Sequence, residues 1–195
     1  MSDVPVVRSV PSNLDSIAPG VRVLEIGAGT IKRVPHAVTL DVNPLAAPDV
    51  LHDLDETPYP FPASSFDIVI AEHVLEHVEH VVRVVEELHR IVAAGGVLLV
   101  EVPHFSSANF HTDPTHRHAF STRSFDYFVE GKTLARYRYS NAFLRKREAR
   151  IGFEGRSVIQ RAIARWANRD PERYERKFAW ILPAEKINFV LEVVK

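Results

Sequence analysis

An apolar run, Val23-Leu24-Glu25-Ile26, enters the glycine turn Gly27-Ala28-Gly29-Thr30, and a second apolar run, Thr39-Leu40, ends on the carboxylate of Asp41 before Val42-Asn43. No other stretch limits the fold as strongly. Two short buried runs joined through a glycine turn predict neighbouring strands of a parallel sheet with a nucleotide cradle at its carboxyl edge. The glycines let the backbone come close to a ligand, and an acid at the end of the second strand can accept hydrogen bonds from a ribose diol.

The remaining pattern extends this α/β reading. Val21–Gly27, Ala37–Val42, Asp49–Leu51 and Phe66–Ala71 read as the first four strands. From Val78, the residues Val81, Val82, Val85, Leu88 and Val92 recur at helical spacing, with Gly95-Gly96 as the predicted stop. Val97–Val102 follows as a buried strand closed by Pro103. Unbroken apolar strands of this kind call for a sheet covered on both faces. Residues 104–120 are polar, rich in histidine and contain Pro114, which predicts a loop. Ser121–Val129 reads as a short helix with Ser121 or Thr122 as N-cap, and residues 142–153 as a strand. Residues 155–181 carry helical signals broken near Asp170-Pro171, with Trp166, Tyr174, Phe178 and Trp180 expected in the core. Ile187–Val194 makes a last strand. A chain of 195 residues is expected to be one domain. Within it, residues 1–20 read as an N-terminal extension, and 104–131 and 155–183 as elements on the substrate side.

Composition removes several chemistries. The chain has no cysteine, so disulfides, thiolate metal sites and cysteine nucleophiles are excluded. No apolar run reaches the roughly 18 residues of a membrane helix, and the start of the sequence lacks a secretion-signal pattern, so a cytoplasmic protein without membrane insertion is expected. Residues 1–129 carry 8 Lys+Arg against 17 Asp+Glu, and residues 130–195 carry 16 against 8. Because both signs are interspersed, the expectation is that the halves pack through complementary faces, the other reading being a basic surface for an anionic substrate.

The cradle itself discriminates between ligands. A dinucleotide fingerprint needs a third glycine, but Gly29 is followed by Thr30-Ile31-Lys32. Only Thr30–His36 separates the turn from the second strand, where a helical crossover needs about a dozen residues. Both departures count against a nicotinamide or flavin protein.

The motif E-x-G-x-G followed by an acid instead resembles the class I S-adenosylmethionine-dependent methyltransferases, and further blocks match in order. These are Asp53-Leu54, Phe66-Asp67-Ile68-Val69-Ile70-Ala71-Glu72-His73-Val74-Leu75-Glu76-His77, and Ala94-Gly95-Gly96-Val97-Leu98-Leu99-Val100. With Val102-Pro103-His104-Phe105-Ser106-Ser107 and Thr112-Asp113-Pro114-Thr115-His116, the chain is similar to a small group of compact, type 11-like bacterial and archaeal methyltransferases. The resemblance implies a Rossmann-like domain, a seven-stranded mostly parallel sheet of order 3-2-1-4-5-7-6 with helices on both faces and an antiparallel last strand. It implies S-adenosylmethionine as cofactor, with Gly27, Ala28 and Gly29 wrapping the methionine end and Glu25 holding the turn. Asp41 and Val42 would meet the ribose, Asp53 and Leu54 the adenine, and Ala71, Glu72 and His73 would complete the site. The departure from the family is the shortened first crossover.

Two histidine patterns invite other readings. His73-Val-Leu-Glu76-His77 matches H-x-x-E-H, a zinc protease signature that needs both histidines on one face of a continuous helix. Here His73 directly follows a strand, so no metal site is expected from it. The loop His111-Thr-Asp113-Pro-Thr-His116-Arg-His118 lies at the carboxyl edge, where open sheets bind ligands. It could be a substrate-facing acid/base cluster, a turn built on Asp113-Pro114, or a metal site. As a base, His116 comes first and His111 second, with Asp113 orienting the imidazole or holding a cationic acceptor. His104 could equally line the acceptor pocket, and Phe105, Phe110 and Phe120 would seal it from water. The motif that positions exocyclic amines is absent, and no nucleic-acid partner is expected. An O-methyltransferase acting on a small molecule or saccharide, with a histidine base, is the resulting expectation. The alternatives are a non-catalytic S-adenosylmethionine-binding protein and a metal-dependent sugar O-methyltransferase; a homodimer is left open.

Overall fold

The computed structural model describes Leu14, residues 17–155 and residues 157–195, and its seven strands form one sheet of order β3-β2-β1-β4-β5-β7-β6. The strands are β1 (Val23–Ile26), β2 (Val38–Asp41), β3 (Val50–Leu51), β4 (Phe66–Glu72), β5 (Val92–Pro103), β6 (Phe143–Gly152) and β7 (Lys186–Val194). Neighbours from β3 to β5 run parallel, while β7 lies antiparallel to both β5 and β6. The helices are α1 (Val81–Ile91), α2 (Ala108–Thr112), α3 (Val158–Arg169) and α4 (Pro171–Lys177). Most of the segment expected as an N-terminal extension over residues 1–20 lies outside the described residues.

Alternate residues of the central strands serve opposite faces, which is why they read as continuous apolar runs. Leu24, Ile26, Val69, Leu98 and Val100 pack against Val84, Val85, Leu88 and Ile91 of α1 and against Phe120, Phe125 and Phe128. Val23, Ile68, Ile70, Val97 and Leu99 point the other way and meet Ile17, Val34 and Ala37. Val34 belongs to the short crossover between β1 and β2, which contains no helix. A helix would normally satisfy that crossover's backbone groups internally. Here the buried Glu25 carboxylate does part of the work, accepting from Arg33 N–H at 2.9 Å and Val34 N–H at 2.6 Å.

Several expectations need correction. α1 stops at Ile91, before Gly95-Gly96, because Val92 already pairs with Phe66 of β4. The glycines instead serve a register shift in β5 between the Phe66 and Ile68 pairings, with Gly95 at φ +76°. The loop over 104–120 holds a short helix, α2, whose N-cap Ser107 accepts from Asn109 N–H. Ser121–Val129 forms a 3-10 turn over Ser124–Phe128 and no α-helix, and its N-cap is Arg123 with no side-chain bond, so neither Ser121 nor Thr122 caps it. Of the aromatic residues expected in the core, Tyr174 is buried, but Trp166 is partly exposed and Trp180 is 71% exposed. Both lie on the α3–α4 flank, where Asn168 covers the β6 edge by bonding both the N–H and C=O of Ile151 at 2.8 Å. The basic surplus is only partly spent between the halves: Lys146 pairs with Asp126 and Lys186 with Glu101, whereas Arg150, Arg161, Arg165 and Arg169 line a groove beside β6. No helix of the described residues is long and apolar enough to cross a membrane.

Candidate functional site

The carboxyl ends of β1, β2 and β4 converge on a cleft of about 580 Å³. Gly27, Asp41, Val42, Asp53, Leu54 and His73, all expected from the sequence, line it. A smaller adjoining recess brings in Glu25, Ala28 and Glu72. Ala71 is buried within β4 and does not face either space. Asn43, His52, Asp55, Val74, His77 and Val78 also line the cleft, though none of them is among the cofactor contacts expected from the sequence. Their positions depend on how three loops fold over one another, which no short motif encodes.

Local geometry explains the cradle. Gly27 sits at φ +60°, and a Cβ there would lie 2.5 Å from Val74 Cγ2, so the turn packs directly on the β4 loop. Asp41 ties the two ends of the cradle: its Oδ2 accepts from Gly29 N–H at 2.9 Å and its Oδ1 from Asn43 N–H at 2.8 Å. Each oxygen keeps a second lone pair for a ligand hydroxyl. Asp53 accepts from Asp55 N–H at 2.9 Å, and Asp55 in turn accepts from Glu79 and His80 N–H ahead of α1, which has no cap of its own. Val42 is 62% exposed beside Leu54, an apolar surface suited to the face of a flat ring.

His73, at φ +51° at the end of β4, is held between two carboxylates, with Nε2 3.0 Å from Glu101 Oε1 and Nδ1 3.2 Å from Glu76 Oε1. Carboxylates only accept, so both ring nitrogens carry protons. These bonds, Glu101 first and Glu76 second, outweigh partial burial and push the imidazole up to about 9. Glu72 moves up through burial, opposed by Arg33 at 2.7 Å. A folded value above the ordinary 6.5 means that protonation of His73 stabilises the fold fully below about pH 6.5, and that this contribution is lost as pH rises through about 9. The His73 resonances should therefore titrate near 9 by NMR, and wild type should lose more stability than His73→Gln between pH 6.5 and 9.5 in denaturant titrations. Equal losses would refute the double carboxylate grip.

The histidine loop is arranged differently from its expectation. Asp113 does not orient His116; its Oδ1 accepts from Thr115 N–H at 2.8 Å and Thr115 Oγ1 at 2.7 Å. These bonds hold the exposed Asp113 carboxyl below its usual range. His111 is exposed, its ring edge-on to Phe110. His104 is fully buried, bonded to Ser106 and packed on Phe105, so it does not line an acceptor pocket. Phe120 is core and Phe110 stacks on His116. His116 turns inward: Nδ1 donates to Phe110 C=O at 2.9 Å, and Nε2 faces Glu76 Oε1 at 4.0 Å, while His118 is half-buried with its Nε2 buried and without a hydrogen-bond partner. The loop is anchored there because Glu76 C=O accepts from Arg117 N–H at 2.7 Å. His73 and His77 do not share a helix face, since residues 73–80 are not helical and α1 begins only at Val81, so the protease arrangement is not formed. Glu76, His77 and His116 do come together, each offering a ligand atom within 4.8 Å of the others.

Residues 23–100 match the family described as a methyltransferase domain. No curated protein matches the chain. Among solved structures, a methyltransferase from Archaeoglobus fulgidus is 17% identical with a TM-score of 0.55, covering 89% of this chain and 87% of that one. One from Mesorhizobium loti is 15% identical with a TM-score of 0.55, covering 89% and 91%. A Thermotoga maritima protein described as a possible histamine N-methyltransferase is 14% identical with a TM-score of 0.52, covering 93% and 86%. At these identities the likeness is one of fold.

Proposed function

We propose that the chain is a class I S-adenosylmethionine-dependent methyltransferase, with that cofactor as its methyl donor, and that it methylates an oxygen of a small-molecule or saccharide acceptor. The residues present fit the cofactor: the cleft is of nucleoside size, and its cradle is closed so tightly at Gly27 that a Cβ would enter Val74. When bound, the cofactor supplies an electrophilic methyl group on a sulfonium sulfur. In this reading the Asp41 carboxylate takes the ribose diol, Val42 and Leu54 flank the adenine, and Asp53 offers its free oxygen to the adenine end. Gly27–Gly29 approach the methionine end, with Glu25 holding the crossover behind them. Rate then depends on holding the acceptor oxygen in line at about 3 Å.

One observation carries the oxygen-acceptor reading. His116 donates Nδ1–H to Phe110 C=O, which leaves the Nε2 lone pair free behind His77 of the cleft wall, with the Glu76 carboxylate near enough to stabilise the positive charge as a proton is drawn from a hydroxyl. His77, which lines the cleft, stacks edge-on to the same ring at 4.6 Å. The acceptor proton therefore leaves at the Glu76–His77–His116 cluster. His111 is too exposed to share that role, and Asp113 is hydrogen-bonded to the cluster through Thr115.

Extract fractions incubated with methyl-labelled cofactor should yield a base-stable, ether-type labelled product. His116→Ala should lower the transfer rate by about 100-fold, in the range of a lost general base, with cofactor affinity unchanged. Label arriving only on nitrogen or carbon, or full turnover in His116→Ala, would overturn this assignment.

A further inference from the structure

We propose that Glu76, His77 and His116 form a binding site for one divalent first-row transition ion, of the Zn²⁺ or Mn²⁺ type, between the cofactor cleft and the 104–118 loop.

Glu76 is fully buried, and its Oε2 has no hydrogen-bond partner. An ionised oxygen deprived of both water and protein donors is costly, and a cation is one of the few partners that satisfies it. The other two side chains are prepared to meet it. A carbonyl only accepts, so the His116 bond to Phe110 puts the proton on Nδ1 and leaves Nε2 as a ligand lone pair. For His77 the same result comes through a relay. Thr115 Oγ1 spends its single proton on Asp113 at 2.7 Å, so it must accept from His77 Nδ1–H at 2.8 Å, again freeing Nε2.

Metal-binding histidines are typically oriented this way, with the second nitrogen donating to a carbonyl or, through a hydroxyl, to a carboxylate. Two imidazoles and one carboxylate suit an imidazole-preferring ion better than Mg²⁺, and leave a coordination position open. One nitrogen of each histidine and one oxygen of Glu76 lie within 4.8 Å of one another, so the loop needs to close by about 1–1.5 Å to reach the separation set by bonds of about 2.0–2.2 Å. His73 is not a ligand in this arrangement, since both of its nitrogens donate to carboxylates.

The inference rests on the proposed function in one respect only. With an ion held there, His116 would be a ligand in place of a direct base and the ion would supply the acidification of the acceptor hydroxyl; without an ion, His116 keeps its role as base.

Untagged protein, stripped with chelator and dialysed, is to be titrated with Zn²⁺ and then Mn²⁺ by calorimetry, with bound metal counted by elemental analysis. One ion per chain is expected. His116→Asn and Glu76→Gln should weaken binding at least 100-fold. Thr115→Val, which removes only the relay to His77, should weaken it by about 10-fold. S-adenosylhomocysteine affinity should be unchanged in Thr115→Val and His116→Asn, which establishes that both are folded even if Glu76→Gln is not. No stoichiometric binding, or binding indifferent to His116→Asn and Thr115→Val, would overturn the site. Because no acceptor or turnover is involved, that failure would leave oxygen methylation standing, whereas nitrogen or carbon methylation would leave the ion in place.

Discussion

Replacing Gly27 with alanine should lower cofactor affinity at least about tenfold and destabilise the protein by about 2–3 kcal/mol. Two costs combine at this one position. The left-handed backbone at φ +60° costs an ordinary residue about 1–2 kcal/mol. The new Cβ would also meet Val74 Cγ2 at 2.5 Å and Val74 Cβ at 2.7 Å. Val74 is stiff at χ1 and lines the cleft, so relief of the clash pushes a methyl group toward the ligand. Gly29→Ala separates the two costs, because its φ is +55° but a Cβ there meets nothing within 4 Å. It should show the backbone penalty alone, about 1–2 kcal/mol. Denaturant unfolding and calorimetry on both variants decide the matter; equal losses at the two glycines would show that the Val74 contact is unimportant.

Asp41→Ala should raise the dissociation constant for S-adenosylmethionine about 100-fold, equivalent to about 2.7 kcal/mol. The carboxylate does two jobs that alanine cannot. It holds Gly29 N–H and Asn43 N–H, so the glycine turn and the β2 loop keep a fixed spacing. In the proposed placement its remaining lone pairs would also accept from the ribose diol. Truncation leaves both N–H groups to water and loosens the walls between which the nucleoside must fit. Asp41→Asn separates charge from geometry: it keeps one acceptor oxygen but turns an amide against a backbone donor, so its loss should be intermediate.

The cradle was legible because its chemistry is local. Glycines in a turn and an acid at a strand end occupy fixed offsets, and the apolar runs of β1, β4 and β5 are long enough to declare buried strands. The strand order was legible only through resemblance, since nothing in the run Ile187–Val194 says that it inserts between β5 and β6. Gly95-Gly96 misled because a bulge and a helix stop ask the same residue for the same backbone freedom, and only the Val92–Phe66 pairing distinguishes them. The short crossover departs from the family pattern, and what holds it, Glu25 bonding Arg33 and Val34 up to nine residues away, depends on the fold of the turn. In the histidine loop, the residue types were readable and their partners were not. Asp113 was expected to serve His116, but its bonds reach His77 through Thr115, an arrangement joining segments 38 residues apart.

The whole reading depends on the cofactor occupying the cleft bounded by Gly27, Asp41 and Asp53. Calorimetric titration of wild type and Asp41→Ala with S-adenosylmethionine and S-adenosylhomocysteine tests that most directly. Wild type should bind each at one site per chain, and Asp41→Ala should bind both about 100-fold more weakly while unfolding cooperatively. Unchanged affinity in Asp41→Ala would contradict the placement, and no binding by the wild-type protein would contradict the cradle itself.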